Sequence, residues 1–116
     1  MINFKQYPNL TKVVIPNNIK CNADFTNAFS NMQNLKTAQL HDNITNLSNT
    51  FCYCANLTDP WCGQNVTDLA STYDECYRLS GQPVCGDEVI NMYSTYKRCF
   101  RLNGTPICGD KVTTMS

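Results

Sequence analysis

A chain of 116 residues whose nine basic and nine acidic side chains cancel is the size of one small domain, and neither sign gathers in a block. Nucleic acid and an anionic membrane surface are therefore not expected as partners. No apolar run approaches the ~18 residues of a transmembrane helix, so membrane insertion is not expected, and Met1-Ile2-Asn3-Phe4-Lys5 does not resemble a signal peptide.

Five columns of similar residues run through the chain in a constant order. An aromatic column reads Phe4, Phe29, Phe51, Tyr73, Tyr96, and a leucine column reads Leu10, Leu35, Leu57, Leu79, Leu102. A third reads Ile15, Leu40, Cys62, Cys85, Cys108; a fourth reads Ile19, Ile44, Val66, Val89, Val112; a fifth reads Phe25, Leu47, Leu69, Met92, Met115. The phase is clearest over 62–107, where two consecutive 23-residue copies share eleven identical positions. A period of 22–25 residues marks a repeat protein, whose units are too small to bury an apolar face alone and gain stability by stacking on neighbours. Three extra residues between Ile19 and Phe25 predict a bulged loop around Asn22-Ala23-Asp24.

Within one unit, Val13 and Ile15 alternate with Val14 and lead into Pro16-Asn17-Asn18, a short strand closed by a turn. A second extended or 3₁₀ piece is expected at Val66–Leu69. Leu69, Tyr73 and Cys76 step by four and three, the spacing of one helical face, so a short helix is predicted over 70–77. The expected fold is an α/β repeat solenoid of about 4.5 coils, with short parallel strands stacked ~4.8 Å apart and short helical segments. It forms a single domain over 1–116, with coils in approximate phase 10–34, 35–56, 57–78 and 79–101 and partial coils 1–9 and 102–116. Partial coils expose core, so end-to-end self-association or covering by a flanking chain is expected.

Ala28-Phe29-Ser30-Asn31-Met32-Gln33-Asn34-Leu35, with Cys-x-x-Leu versions at Cys54–Leu57, Cys76–Leu79 and Cys99–Leu102, resembles the BspA-type leucine-rich repeat. Asn9 to Ile19, with its Ile15-Pro16 turn, is similar to that family's leading strand. After residue 57 the chain departs from the pattern, with Gly63, Gly86 and Gly109 in place of Pro16 and cysteine in place of an inward aliphatic. The resemblance implies a surface or secreted repeat protein, located outside the cell or at its surface. It further implies a non-enzymatic module that binds a protein or glycan on a host or neighbouring surface, in adhesion or host interaction. The alternative is a structural or assembly component of an extracellular or virion-type particle.

Eight cysteines raise the question of zinc or disulfides. Cys62, Cys85 and Cys108 stand where Ile15 and Leu40 stand, and Cys54, Cys76 and Cys99 stand where Met32 stands. Positions that accept Ile, Leu or Met are apolar core positions, and free cysteine buries readily. Buried free thiols are therefore favoured over disulfides, for which neighbouring coils or Cys76 with Cys85 are the candidates, and over metal. Cys21 and Cys52 lie outside both ladders and are expected to be the more reactive thiols. His41, the only histidine, aligns with the Pro16 and Gly63 turn position and is expected to be a solvated turn residue. Asp74-Glu75 recur as Lys97-Arg98 in the next copy, a charge reversal that suits facing ion pairs better than a catalytic dyad. Asp87 and Asp110 follow turn glycines, but Gln64 holds the equivalent place, which argues against calcium. No catalytic residue, cofactor or metal is expected.

Asn-x-Thr/Ser occurs at Asn9, Asn43, Asn46, Asn56, Asn65 and Asn103; repetition of ladder positions explains these better than glycosylation. Asn9, Asn34 and Asn56 are expected to form a hydrogen-bonded ladder, replaced later by Arg78 and Arg101. The candidate partner-binding surface is the outward row of the leading strand, Val14, Gln39, Trp61, Val84 and Ile107, opposite the Ile15-to-Cys108 column. Tyr77 and Phe100, one residue past the cysteine ladder, are further anchors.

Overall fold

A computed structural model describes residues 3–82, 86–104 and 109–115. After a 3₁₀ turn at Phe4–Gln6, capped by the Asn3 side chain, strand β1 (Lys12–Val14) pairs in parallel with β2 (Thr37–Gln39), Lys12 opposite Thr37. Two further parallel pairs join β3 (Ser80–Gly81) to β5 (Arg101–Leu102) and β4 (Asn91–Met92) to β6 (Thr114–Met115). Single-residue parallel bridges link Asp24 to Asn46, Asn46 to Asp68, and Asp68 to Asn91, so the second extended piece contracts to one bridged residue at Asp24, Asn46 and Asp68 and survives as a two-residue strand only in β4 and β6.

This architecture overturns the α/β solenoid of strands and helical segments. Among the described residues there is no α-helix, and the strands form three separate two-stranded sheets rather than one continuous stack. The Cα radius of gyration is 12.9 Å, close to the ~13 Å of a compact globule of this length, and the extents are 35 × 30 × 18 Å.

The segment expected as helix shows why. Residues 70–77 form turns, with Ser71 at φ 53° and Glu75 at φ 62°; the same two positions are left-handed at Asn27 and Asn31, Asn49 and Tyr53, and Ser94 and Arg98. One left-handed residue in four ends any α-helix. Backbone hydrogen bonds then divide by parity. Thr72, Asp74 and Cys76 donate to the carbonyls three residues earlier, closing β-turns, while Leu69, Ser71, Tyr73 and Glu75 donate at 2.8–2.9 Å to Asn91, Tyr93, Thr95 and Lys97. The apolar spacing of four and three thus arises from three overlapping turns, the first and third of which begin at the inward residues Leu69 and Tyr73 and the last of which ends at buried Cys76. Every amide from Leu69 to Cys76 is satisfied either locally or by the following repeat.

Equivalent residues of successive repeats pack against one another. Phe29, Phe51, Tyr73 and Tyr96 stack with ring centroids 5.5 Å apart and planes within 7°. Leu35, Leu57 and Leu79 are buried beside them, with Ile44, Val66 and Val89 and with Leu47, Leu69 and Met92. Several details depart from the columns, among them Met115, which is 57% exposed. Ile19 is 52% exposed, and Cys21 instead packs against the core. Leu102 is only half-buried. The β3–β5 pair sets Ser80 opposite Arg101, whereas the aligned copies put it opposite Asn103; a slip of two residues preserves which face each side chain occupies.

Candidate functional site

Of the outward row, Val14 and Gln39 are exposed, while Val84 and Ile107 lie outside the described residues. Trp61 is half-buried and packs against the core. Its amide donates at 2.6 Å to the Tyr73 hydroxyl, which in turn donates to the Trp61 carbonyl. Its indole leans over Gly63, where an added Cβ would come within 2.8 Å of the ring. Tyr73 itself is fully buried, and desolvation holds its phenol pKa well above the usual value.

In addition to the exposed Tyr7, Tyr53 and Tyr93, Tyr77 and Phe100 form a stacked pair of exposed rings. They sit one repeat apart with centroids 6.1 Å apart and planes at 12°, and they are 42% and 76% exposed. The next residue in each repeat is an arginine, Arg78 and Arg101, both exposed. In the two earlier repeats the arginine positions hold Asn34 and Asn56, whose amides donate to Pro8 and Gln33 carbonyls at 3.2 and 2.6 Å. Neither arginine side chain has an ion-pair partner among the described residues. Residues 75–101 in this region also hold Lys97 and an Arg98–Glu75 ion pair, the latter joining adjacent repeats as the charge reversal anticipated. Among the described residues Asp74 forms no such pair, and its buried Oδ1 meets no hydrogen-bond partner.

Cys21, Cys52, Cys54, Cys62, Cys76 and Cys99 are all free thiols; Cys85 and Cys108 lie outside the described residues. The ladder Cys54, Cys76, Cys99 is apolar in position but not inert in bonding. Each thiol donates at 3.0 Å to the carbonyl of the aromatic residue one repeat earlier, namely Phe29, Phe51 and Tyr73. Burial raises the Cys54 and Cys99 pKa values to about 12, and pushes the Cys76 thiol higher still. Cys52, expected to be reactive, is buried, and desolvation together with the Asp74 charge raises its pKa. Cys62 and Cys21 are half-buried, each with a pKa raised by desolvation. Native thiol labelling should therefore reach Cys21 and Cys62 first and leave Cys54 and Cys76 untouched until the protein unfolds; early modification of Cys76 would contradict this packing.

His41 is buried, not a solvated turn residue. Its Nδ1 accepts the Asn43 N–H at 2.9 Å, so the proton resides on Nε2, which donates to the Ile19 carbonyl at 2.9 Å. The ring ties the first repeat's loop to the second, with both nitrogens occupied. Among the described residues no group of three His, Cys, Asp or Glu side chains could hold a metal ion.

Two polar columns escaped the sequence reading. Asp24, Asn46, Asp68 and Asn91 each accept, through the side chain, the N–H two residues on, at 2.8–3.0 Å, which starts the turn segment. Thr50, Thr72 and Thr95 are buried, their hydroxyls donating at 2.8–2.9 Å to the Phe25, Leu47 and Leu69 carbonyls. Their signal was present as Asp/Asn and Thr recurring at the repeat period, but a column of polar residues carries no hydropathy pattern. No family model, curated protein or solved structure matches this chain.

Proposed function

We propose that the protein is a non-enzymatic binding module that engages a protein or glycan through the Tyr77–Phe100 face, as a surface or secreted protein acting in adhesion or host interaction. The observation that carries this reading is the pair of stacked, solvent-exposed rings beside Arg78 and Arg101. Exposed aromatics give large contact area, and unpaired arginines give directional hydrogen bonding to carboxylate, sulfate or hydroxyl groups. Among the described residues the Cys54, Cys76 and Cys99 thiols are committed to backbone carbonyls and both His41 ring nitrogens are engaged. The sequence resemblance to BspA-type repeats supports the same class of role.

The test is a screen of the whole chain against arrayed cell-surface glycans and ectodomains, followed by Tyr77→Ala/Phe100→Ala. Hits should weaken by about tenfold or more, as for interface aromatics, with an unchanged denaturation midpoint because both rings are exposed. Full affinity in the double variant would remove this face from consideration.

A further inference from the structure

We propose a second binding site at the opposite end of the repeats: an extended, acidic peptide segment adds to the free edge of β1 and lays its apolar side chains into the groove beside it. Three observations made on different features converge there, and none depends on the Tyr77–Phe100 reading.

The first is the groove, an open cavity of about 670 Å³ lined by Phe4, Val13, Ile15, Ile19, Phe25 and the Lys20 side chain among others. Phe29, Leu40 and Ile44, the equivalents of Phe4, Ile15 and Ile19 in the next repeat, are buried, whereas here Phe4 and Ile15 are half-buried and Val14 and Ile19 are each 52% exposed, over a floor of buried Val13 and Phe25. The volume lies in the range of sites that hold a ligand.

The second is the backbone. β1 belongs to a two-stranded sheet with β2 alone among the described residues. Ile15 donates to Gln39 at 2.9 Å and the Thr11 carbonyl accepts from Thr37 at 3.3 Å, so the odd-numbered residues of this strand bond β2. By alternation the N–H and C=O groups of Lys12 and Val14 point to the open edge. A lipid or a compact apolar molecule would fill the groove and leave these four groups without protein partners; an extended peptide satisfies both.

The third is charge. Residues 3–23 contain Lys5, Lys12 and Lys20 and no carboxylate. The first acid in the chain, Asp24, is occupied by the Thr26 hydroxyl and N–H at 2.6 and 2.9 Å, and the nearby Asp42 carboxylate accepts from the Asn17 amide. Lys5 is engaged with the Ser30 hydroxyl at 2.6 Å, whereas Lys12 and Lys20 are exposed and form no ion pair among the described residues. A lysine on a short edge strand repels another basic edge, which disfavours a second copy of this end, yet it attracts an acidic strand. In such a strand alternate residues fall on opposite faces: one set lies over Val13 and the groove, the other beside Lys12.

The probe is a blocked Glu-Val-Glu-Val-Glu-Val peptide, with its Lys-Val counterpart and dodecanoate as comparators, titrated into the whole chain while amide hydrogen exchange is followed. The acidic peptide should slow exchange at Lys12 and Val14 by tenfold or more at saturation and should bind more weakly as salt is added. Lys20→Glu should reduce its affinity at least tenfold, and so should Val14→Pro, which deletes an outward N–H at a position where an edge strand tolerates proline. Lys20→Glu lies outside the strand and decides the matter if Val14→Pro does not fold. Equal binding of the lysine peptide, saturation without protection of those two amides, or a response to dodecanoate alone would each overturn the proposal. Loss of binding in Tyr77→Ala/Phe100→Ala would also overturn it, since that face is remote in the repeat order.

Discussion

Tyr73→Ala should destabilise the protein by about 3–5 kcal/mol, the loss expected when a buried aromatic side chain is truncated to a cavity. The ring is fully buried in the middle of the aromatic stack, 5.5 Å from both Phe51 and Tyr96, so removing it takes a contact from each neighbour. It also removes the hydroxyl that holds both backbone groups of Trp61. Tyr73→Phe separates the two contributions: the stack persists, and the expected loss is about 1–3 kcal/mol for the Trp61 groups left unsatisfied. Denaturant titration of both variants checks the ordering. An alanine variant within 1 kcal/mol of the parent would show that the stack does not hold the repeats together.

Raising the pH from about 9 to 10 should remove about 4 kcal/mol of stability, with unfolding following soon above that range. In the folded protein burial holds the Cys54 and Cys99 thiols protonated to about 12 and Cys76 beyond that, whereas in the unfolded chain thiols ionise near pH 8.5. Above the unfolded pKa the native state binds more protons than the unfolded state, so stability falls as pH rises; below it the contribution is fully present. Each such thiol is worth about 1.4 kcal/mol per pH unit in this window, and three of them give the expected slope. Tyr73, whose pKa is also raised by burial, extends the loss above pH 10. Equilibrium unfolding under reducing conditions at several pH values measures the slope. Cys99→Ala should flatten it by less than one third, because Cys52 and Cys62, also raised by burial, contribute to the slope, and a stability that stays level to about pH 10.5 would mean that the thiols are accessible to base.

The folded structure also explains why these two effects are coupled to position rather than to residue type. Cys54, Cys76 and Cys99 bond the same carbonyl column as one another, while Cys52, two residues from Cys54, bonds none of them. Met32, at the start of the ladder, fills the space without donating a hydrogen bond. The cysteine column is thus both packing and backbone satisfaction, a combination that hydropathy alone does not express.

The repeat period and most of the inward columns were legible in the amino-acid order, because burial selects side chains by size and polarity. Phe29, Phe51, Tyr73 and Tyr96, and likewise Leu35, Leu57 and Leu79, announce themselves by spacing. The Glu75–Arg98 pair was legible from charge reversal at one repeat position. Tertiary structure decided the rest. Spacings of four and three are shared by an α-helix and by a run of overlapping turns, and the choice depends on where alternate amides find acceptors, which here are carbonyls of the following repeat some 21 or 22 residues away. The same long-range bonding determines that Ser71, Glu75, Ser94 and Arg98 adopt left-handed backbone that their own identities do not require. It also buries His41, because its partner is the Ile19 carbonyl of the preceding loop, and turns Trp61 toward the core, because the Tyr73 hydroxyl holds its backbone. Side-chain periodicity records which residues face inward; only the folded chain determines which backbone groups meet, and that is what set the architecture.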